Sequence, residues 1–229
     1  MYDDNYILPN DKTIGFMRQD NMQWWRTTGK YSEEPKERML MYTKFLSNIR
    51  NNVPGFKISN YKKKIVGEAC GGPYGGIVDQ LYPDEEKYQI DIFADDFSQM
   101  GWTRQNGSKT HWIASPCEKI DLEDNSLDVL FAFNSIDHGW DVEKSIKECV
   151  RVSRECYISF DTNRYKVPGY PDLNHYQIVD YDKVSAFLDK NFLNDSYDFA
   201  RWHWDTLVPG ADGRKHWVRA LEFFVRKKK

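Results

Sequence analysis

Glu68-Ala69-Cys70-Gly71-Gly72-Pro73-Tyr74-Gly75-Gly76 is preceded by the short apolar run Ile65-Val66 and followed by Ile77, Val78, Leu81 and Tyr82 at helical spacing. The order is strand, glycine-rich turn, helix. A turn of this kind aims backbone N–H groups and a helix N-terminus at whatever sits above the sheet edge. Glycine suits it because a side chain would block close approach of a ligand to the backbone. Structural turns and NAD sites share such glycine clusters, so the rest of the chain has to decide between readings.

Downstream, residues 88–93, 111–114 and 127–133 read as further strands, the last continuously apolar apart from Asp128. Unbroken runs of this sort suit parallel strands covered on both faces. Residues 141–152 form a helix with Val142, Ile146, Cys149 and Val150 inward and Asp141 as its N-cap. A fifth strand at 157–160 precedes a polar loop, 161–180, long enough to suggest function. A helix over 182–192 and two strands, 198–204 and 216–225, around the turn Pro209-Gly210-Ala211-Asp212-Gly213 complete the pattern. Upstream, Met39, Tyr42, Phe45, Leu46 and Ile49 predict an amphipathic helix over 34–51, capped by Ser32. Residues 1–31, with Trp24-Trp25, have no periodicity and read as an irregular aromatic arm or lid. Strand and helix alternate and a hairpin ends the chain, so the expected fold is α/β, a mostly parallel sheet with one antiparallel excursion.

The chain has 229 residues, enough for one substantial core, so a single domain is expected. A net charge of −3 with both signs interspersed gives no field for a nucleic-acid backbone, and the terminal Arg226-Lys227-Lys228-Lys229 run reads as a solvated tail. No apolar run approaches the roughly 18 residues of a membrane span. Cys70, Cys117, Cys149 and Cys156 lack C-x-x-C spacing and no apolar leader precedes them, which predicts reduced thiols and a cytoplasmic location.

Four ordered motifs resemble those of class I S-adenosylmethionine-dependent methyltransferases, the small-molecule, type 11-like group. Glu68 matches the leading acid of the first motif, Gly72 its second glycine and Gly75 its third. Asp91, in Gln89-Ile90-Asp91-Ile92, falls where the family places the acid that binds the ribose hydroxyls. The segment from Cys117 to Phe131 resembles the family's Ala-Glu-x-Leu-Pro-Phe-x-Asp-x-Ser-Phe-Asp-Val-Val-Phe signature, and Asn134-Ser135-Ile136-Asp137-His138 its Asn-x-Leu-Glu-His element. The resemblance covers roughly residues 60–165. It implies a Rossmann-like, doubly wound seven-stranded sheet with a C-terminal hairpin. It also implies S-adenosylmethionine as cofactor, held by Glu68, Ala69, Cys70, Gly71, Gly72, Gly75, Asp91, Ile92, Cys117, Glu118 and Asn134. Residues 166–229 would then form the acceptor side. Two departures stand out: Cys70 occupies the first-glycine position, and Pro116 replaces the acid that in many relatives receives the adenine amino group.

A carboxylate at Asp91 offers two acceptor oxygens to a pair of hydroxyls, and Glu68 suits the cationic side of the ligand. The sulfonium methyl is already activated, so the enzyme mainly aligns the acceptor, and a base is needed only if the acceptor is an alcohol. Candidates beyond the strand ends are His138 first, then Asp137, Asp161 and His175. His138 as a packing residue over the cofactor is an equal reading, and surface exposure is the plainer one for His175. Asp137 and Asp161 offer oxygen atoms to a divalent cation, but two acids at strand ends are too common to assign a metal. The segment from Tyr88 to Phe97 resembles methyltransferases of surface-polysaccharide and glycan pathways, and with the tryptophan-rich ends it favours a sugar hydroxyl over other small-molecule acceptors. After the fourth strand there is no Asn/Asp-Pro-Pro-aromatic element, which disfavours nucleic-acid methylation. An NAD-dependent oxidoreductase shares the glycine loop and an acid at Asp91. A non-catalytic binding module on the same fold draws support from Cys70 and Pro116.

Overall fold

The computed structural model describes residues 22–23, 34–73, 76–101, 109–163, 167 and 177–228. Apart from Met22 and Gln23, the expected arm with Trp24-Trp25 lies outside the described residues, as do the Ser32 cap, Gly75 and His175. Helix α1 (Glu34–Asn52) precedes β1 (Val66–Ala69), α2 (Ile77–Leu81), β2 (Lys87–Ile90), α3 (Ala94–Gln99), β3 (Thr110–Ile113) and β4 (Leu127–Phe133). Then follow α4 (Val142–Val152), β5 (Ser153–Thr162), α5 (Tyr181–Phe192), β6 (Tyr197–Pro209) and β7 (Lys215–Lys227). Short 3-10 turns occupy Ile58–Tyr61 and Ile136–His138.

The seven strands form one sheet in the order β3-β2-β1-β4-β5-β7-β6. Strands β1 to β5 pair in parallel, while β7 is antiparallel to both β5 and β6. This is the doubly wound, Rossmann-like α/β architecture, with the hairpin inserted at its far edge. Each face is covered, which is why most of β4 carries apolar side chains on both sides. On one face α4 and α5 pack Ile146, Cys149, Val184 and Leu188 against Leu130, Ile158 and Phe223. On the other, α1 and α2 bring Tyr42, Phe45, Ile49 and Ile77 against Val129, Phe131 and Tyr157. Gly67 lets β1 lie close to β4, since a Cβ there would stand 2.6 Å from Leu127 Cδ1.

The strand order reverses between β1 and β4, and at such a switch point the loops leaving neighbouring strands diverge and open a crevice. The β5–β7 pairing ends at Thr162 opposite Arg219, whereas β6 and β7 stay paired as far as Pro209 opposite Lys215. The hairpin therefore extends past the C-terminal end of β5. Val167 packs there against Val208 and Val218, fixing the described part of the long loop to the hairpin.

Candidate functional site

The glycine loop is organised from below by Glu68. Its side chain, 1% exposed, accepts from the N–H groups of Ile77 and Val78 at 3.0 and 3.1 Å and from Gln89 Nε2 at 3.2 Å. The carboxylate thus caps α2 where that helix has N–H groups without intrahelical partners. It also fills the inside of the loop: a Cβ on Gly76 would fall within about 2 Å of it, and one on Gly71 would stand 2.8 Å away. Burial, against the three hydrogen bonds, raises the Glu68 pKa from 4.5 to about 7. Cys70 continues from Ala69, with its N–H on Ile90 O at 2.7 Å, and bends the chain at φ 57. That left-handed conformation explains why glycine suits the position, because a side chain there is strained. Gly72 follows at φ 73.

Asp91 ends β2 facing the same loop. It is 8% exposed, its Oδ1 accepts from Phe93 N at 2.9 Å, and the Gly72 N–H also bonds to it. Burial raises its pKa to about 6. Ile92 packs beside Phe93, Phe97, Trp112 and Trp140, an aromatic wall next to the end of β2. The loop after β3 places the Cys117 sulfur 2.6 Å from that of Cys70. Pro116 has no side-chain acceptor, and the neighbouring Ser115 Oγ is engaged by Asp121 N at 3.3 Å.

Glu118 turns inward. Its Oε1 accepts from Trp140 N at 2.6 Å and Asp141 N at 3.2 Å, so it joins the loop after β3 to the entry of α4. The turn between them carries the base candidates and is tied at several points. Asn134, exposed and at φ 48, donates its N–H to Ser159 O, and Ser135 Oγ donates to Ala69 O at 3.1 Å. Gln177 reaches over from the end of the long loop: its Nε2 donates to Gly139 O at 3.0 Å and Ile136 O at 3.4 Å, and its Oε1 accepts from Val142 N. Within this turn Asp137 is buried and His138 half-buried. Asp161, buried, lies near the end of β5.

The structure thus brings Glu68, Cys70, Gly71, Gly72, Asp91, Ile92, Cys117, Glu118, Asn134, Asp137, His138 and Asp161 to one edge of the sheet. Four residues join them that sequence reasoning missed. Ser135 and Gln177 hold the His138 turn. Gln89 braces Glu68. Trp140 presents a buried indole N–H with no acceptor among the described residues. Ser135 and Gln89 lay inside recognised motifs, and nothing in the spacing of Gln177 points to a turn some 40 positions away. Among the described residues, no three His, Cys, Asp or Glu side chains are grouped to hold a metal ion, and no helix is long and apolar enough to cross a membrane.

The donor set fits S-adenosylmethionine: buried carboxylates and a glycine loop suit a cationic amino-acid group, and an acid at a strand end suits a diol. Residues 69–155 match the methyltransferase domain family. No curated protein matches the sequence. Solved structures with the same fold include magnesium protoporphyrin IX methyltransferase from Synechocystis with bound S-adenosylmethionine, at 16% identity and a TM-score of 0.56, covering 97% of this chain and 100% of that one. The 1,6-didemethyltoxoflavin-N1-methyltransferase of Burkholderia thailandensis, with S-adenosylhomocysteine bound, is 12% identical at a TM-score of 0.56 over 100% of this chain and 94% of its own. The YcgJ protein of Bacillus subtilis is 12% identical at 0.55, over 82% and 99%.

Proposed function

We propose that this class I S-adenosylmethionine-dependent methyltransferase places its methyl group on a hydroxyl of a sugar or glycan acceptor. The observation that carries this reading is the convergence of Asp91, the Cys70–Gly72 backbone and His138 at the C-terminal edge of the parallel strands.

S-adenosylmethionine, when bound, supplies a methyl group already activated by its sulfonium. The chain's own residues do the rest. Backbone groups of Ala69 to Gly72 and of Gly75 hold the amino-acid portion, with Glu68 acting through the loop it caps. Asp91 accepts from the ribose hydroxyls, and Ile92 and the Cys117 backbone bound the base, with Pro116 leaving its amino group without a side-chain acceptor. Asn134 and Glu118 set the far rim. His138, fixed in its turn by Ser135 and Gln177, takes the acceptor's proton on an imidazole nitrogen as the new bond to oxygen forms. Asp137 and Asp161 line the approach, and His175 belongs to the same acceptor side by sequence order. An alcohol is the acceptor class that requires such a base, and the exposed Trp217 on the hairpin offers an aromatic face of the kind sugars stack on.

The test is transfer of a carbon-13 methyl from labelled S-adenosylmethionine to a panel of glycosides, amines and thiols, with the product read by NMR. A methoxy carbon on a glycoside is the expected signal. Turnover confined to amines or thiols would overturn the acceptor assignment while leaving the methyl transfer intact.

A further inference from the structure

Two thiols 47 residues apart in sequence meet between the loops after β1 and β3, with Cys70 Sγ and Cys117 Sγ separated by 2.6 Å. A disulfide bond is about 2.05 Å long, so the sulfurs need to close by only about half an ångström to be joined. Cys70 leads the glycine loop and is half-buried, whereas Cys117 is buried against Ala69 and Ile120 on the loop after β3. The pair therefore joins the glycine loop after β1 to the loop after β3, with Cys70 the less enclosed residue of the two. The other cysteine pair differs in this respect: Cys149 on α4 and Cys156 on β5 are both fully enclosed in the core.

We propose that Cys70 and Cys117 form an oxidative modification site, at which a low-molecular-weight disulfide converts the two thiols into an intramolecular disulfide that clips the glycine loop to the loop after β3. That these loops flank the cofactor rests on the reading above; the bond itself rests on the two sulfurs alone. The exchange has two steps. The Cys70 thiolate attacks one sulfur of the oxidant, releasing one thiol and leaving a mixed disulfide. The Cys117 thiolate then attacks the Cys70 sulfur and expels the second thiol. Two protons and two electrons leave the cysteines, and one disulfide oxidant becomes two thiols. The hydrogen bond to Cys117, and then burial, push the Cys70 thiol well above its ordinary range, so little of it is thiolate at neutral pH and the exchange is slow.

The reduced full chain is incubated with excess oxidised glutathione at pH 8.5, then alkylated and digested with trypsin without reduction. The expected product is residues 65–87 linked to residues 110–119, two hydrogens lighter than the sum of the free peptides. Closing a loop of this length should raise Tm by roughly 5–10 °C, and dithiothreitol should reverse both changes. Cys70→Gly and Cys117→Ala should each abolish both. Recovery of Cys70 and Cys117 as glutathione adducts or alkylated thiols overturns the site, as does a link found only between residues 148–151 and 155–164. A link between the expected peptides without a rise in Tm overturns the claim that the bond clips the two native loops together.

Discussion

Asp91 sits where geometry and chemistry converge most closely. Its carboxylate already organises Phe93 and Gly72 and remains at the crevice edge. Asp91→Ala should leave the domain folded and weaken cofactor binding by roughly 1.5–3 kcal/mol, the usual worth of hydrogen bonds to a charged group; equal affinity by calorimetry would place the ribose elsewhere. His138→Ala should lower turnover by about two to four orders of magnitude with cofactor affinity nearly unchanged. A proportionate loss of both would make His138 a wall of the site. Glu68 allows a prediction about pH. Its folded pKa, raised to about 7 by burial, exceeds the ordinary value of 4.5, so the folded chain holds this proton more tightly than the unfolded one. The contribution, about 3 kcal/mol from the size of the shift, is fully present below about pH 4.5 and disappears as pH rises through about 7. Tm should fall over that window, and Glu68→Gln should flatten the slope. An unchanged slope in the variant would mean that other acids carry it.

At the scale of elements, what was legible from sequence follows from how local each signal is. Asp141 as N-cap of α4 needs only four consecutive residues to be read, and its side chain does accept from Lys144 N at 3.0 Å; Asp141→Ala should cost about 1 kcal/mol in thermal or denaturant unfolding. Strand β4 was bounded correctly because its apolar run stops abruptly at both ends. Helix α3, by contrast, is six residues long with Asp95 and Asp96 in its first turn, too short for any periodicity to register. Strands β5, β6 and β7 run longer than their apolar patterns, since antiparallel pairing carries exposed polar residues such as Arg201 and Asp205 along with it. The tie from Gln177 to the His138 turn is wholly tertiary and had no local signal. It makes Gln177 a positioning residue. Gln177→Ala should reduce kcat about tenfold while KM for S-adenosylmethionine stays within a factor of about three, and a variant with normal kcat would show that the turn holds without it.

Over the whole molecule, the glycine loop, the strand-end acid and the His138 turn come from three separate stretches that only the β3-β2-β1-β4 order brings together. Sequence motifs located those stretches, but the inward turn of Glu68 and Glu118 depended on packing that motifs do not encode. Each spends its oxygens on backbone N–H groups of a neighbouring segment, so the crevice is built by tethering loops to one another. A ligand that spans those loops should stabilise the entire domain by mass action. The most direct measurement is therefore calorimetric titration of the reduced protein with S-adenosylmethionine, S-adenosylhomocysteine and NAD, with Tm followed at saturation. Saturable one-site binding of both sulfur ligands, a raised Tm and no heat from NAD are the predicted result; no heat and no shift with either sulfur ligand, or binding of NAD in their place, would contradict it.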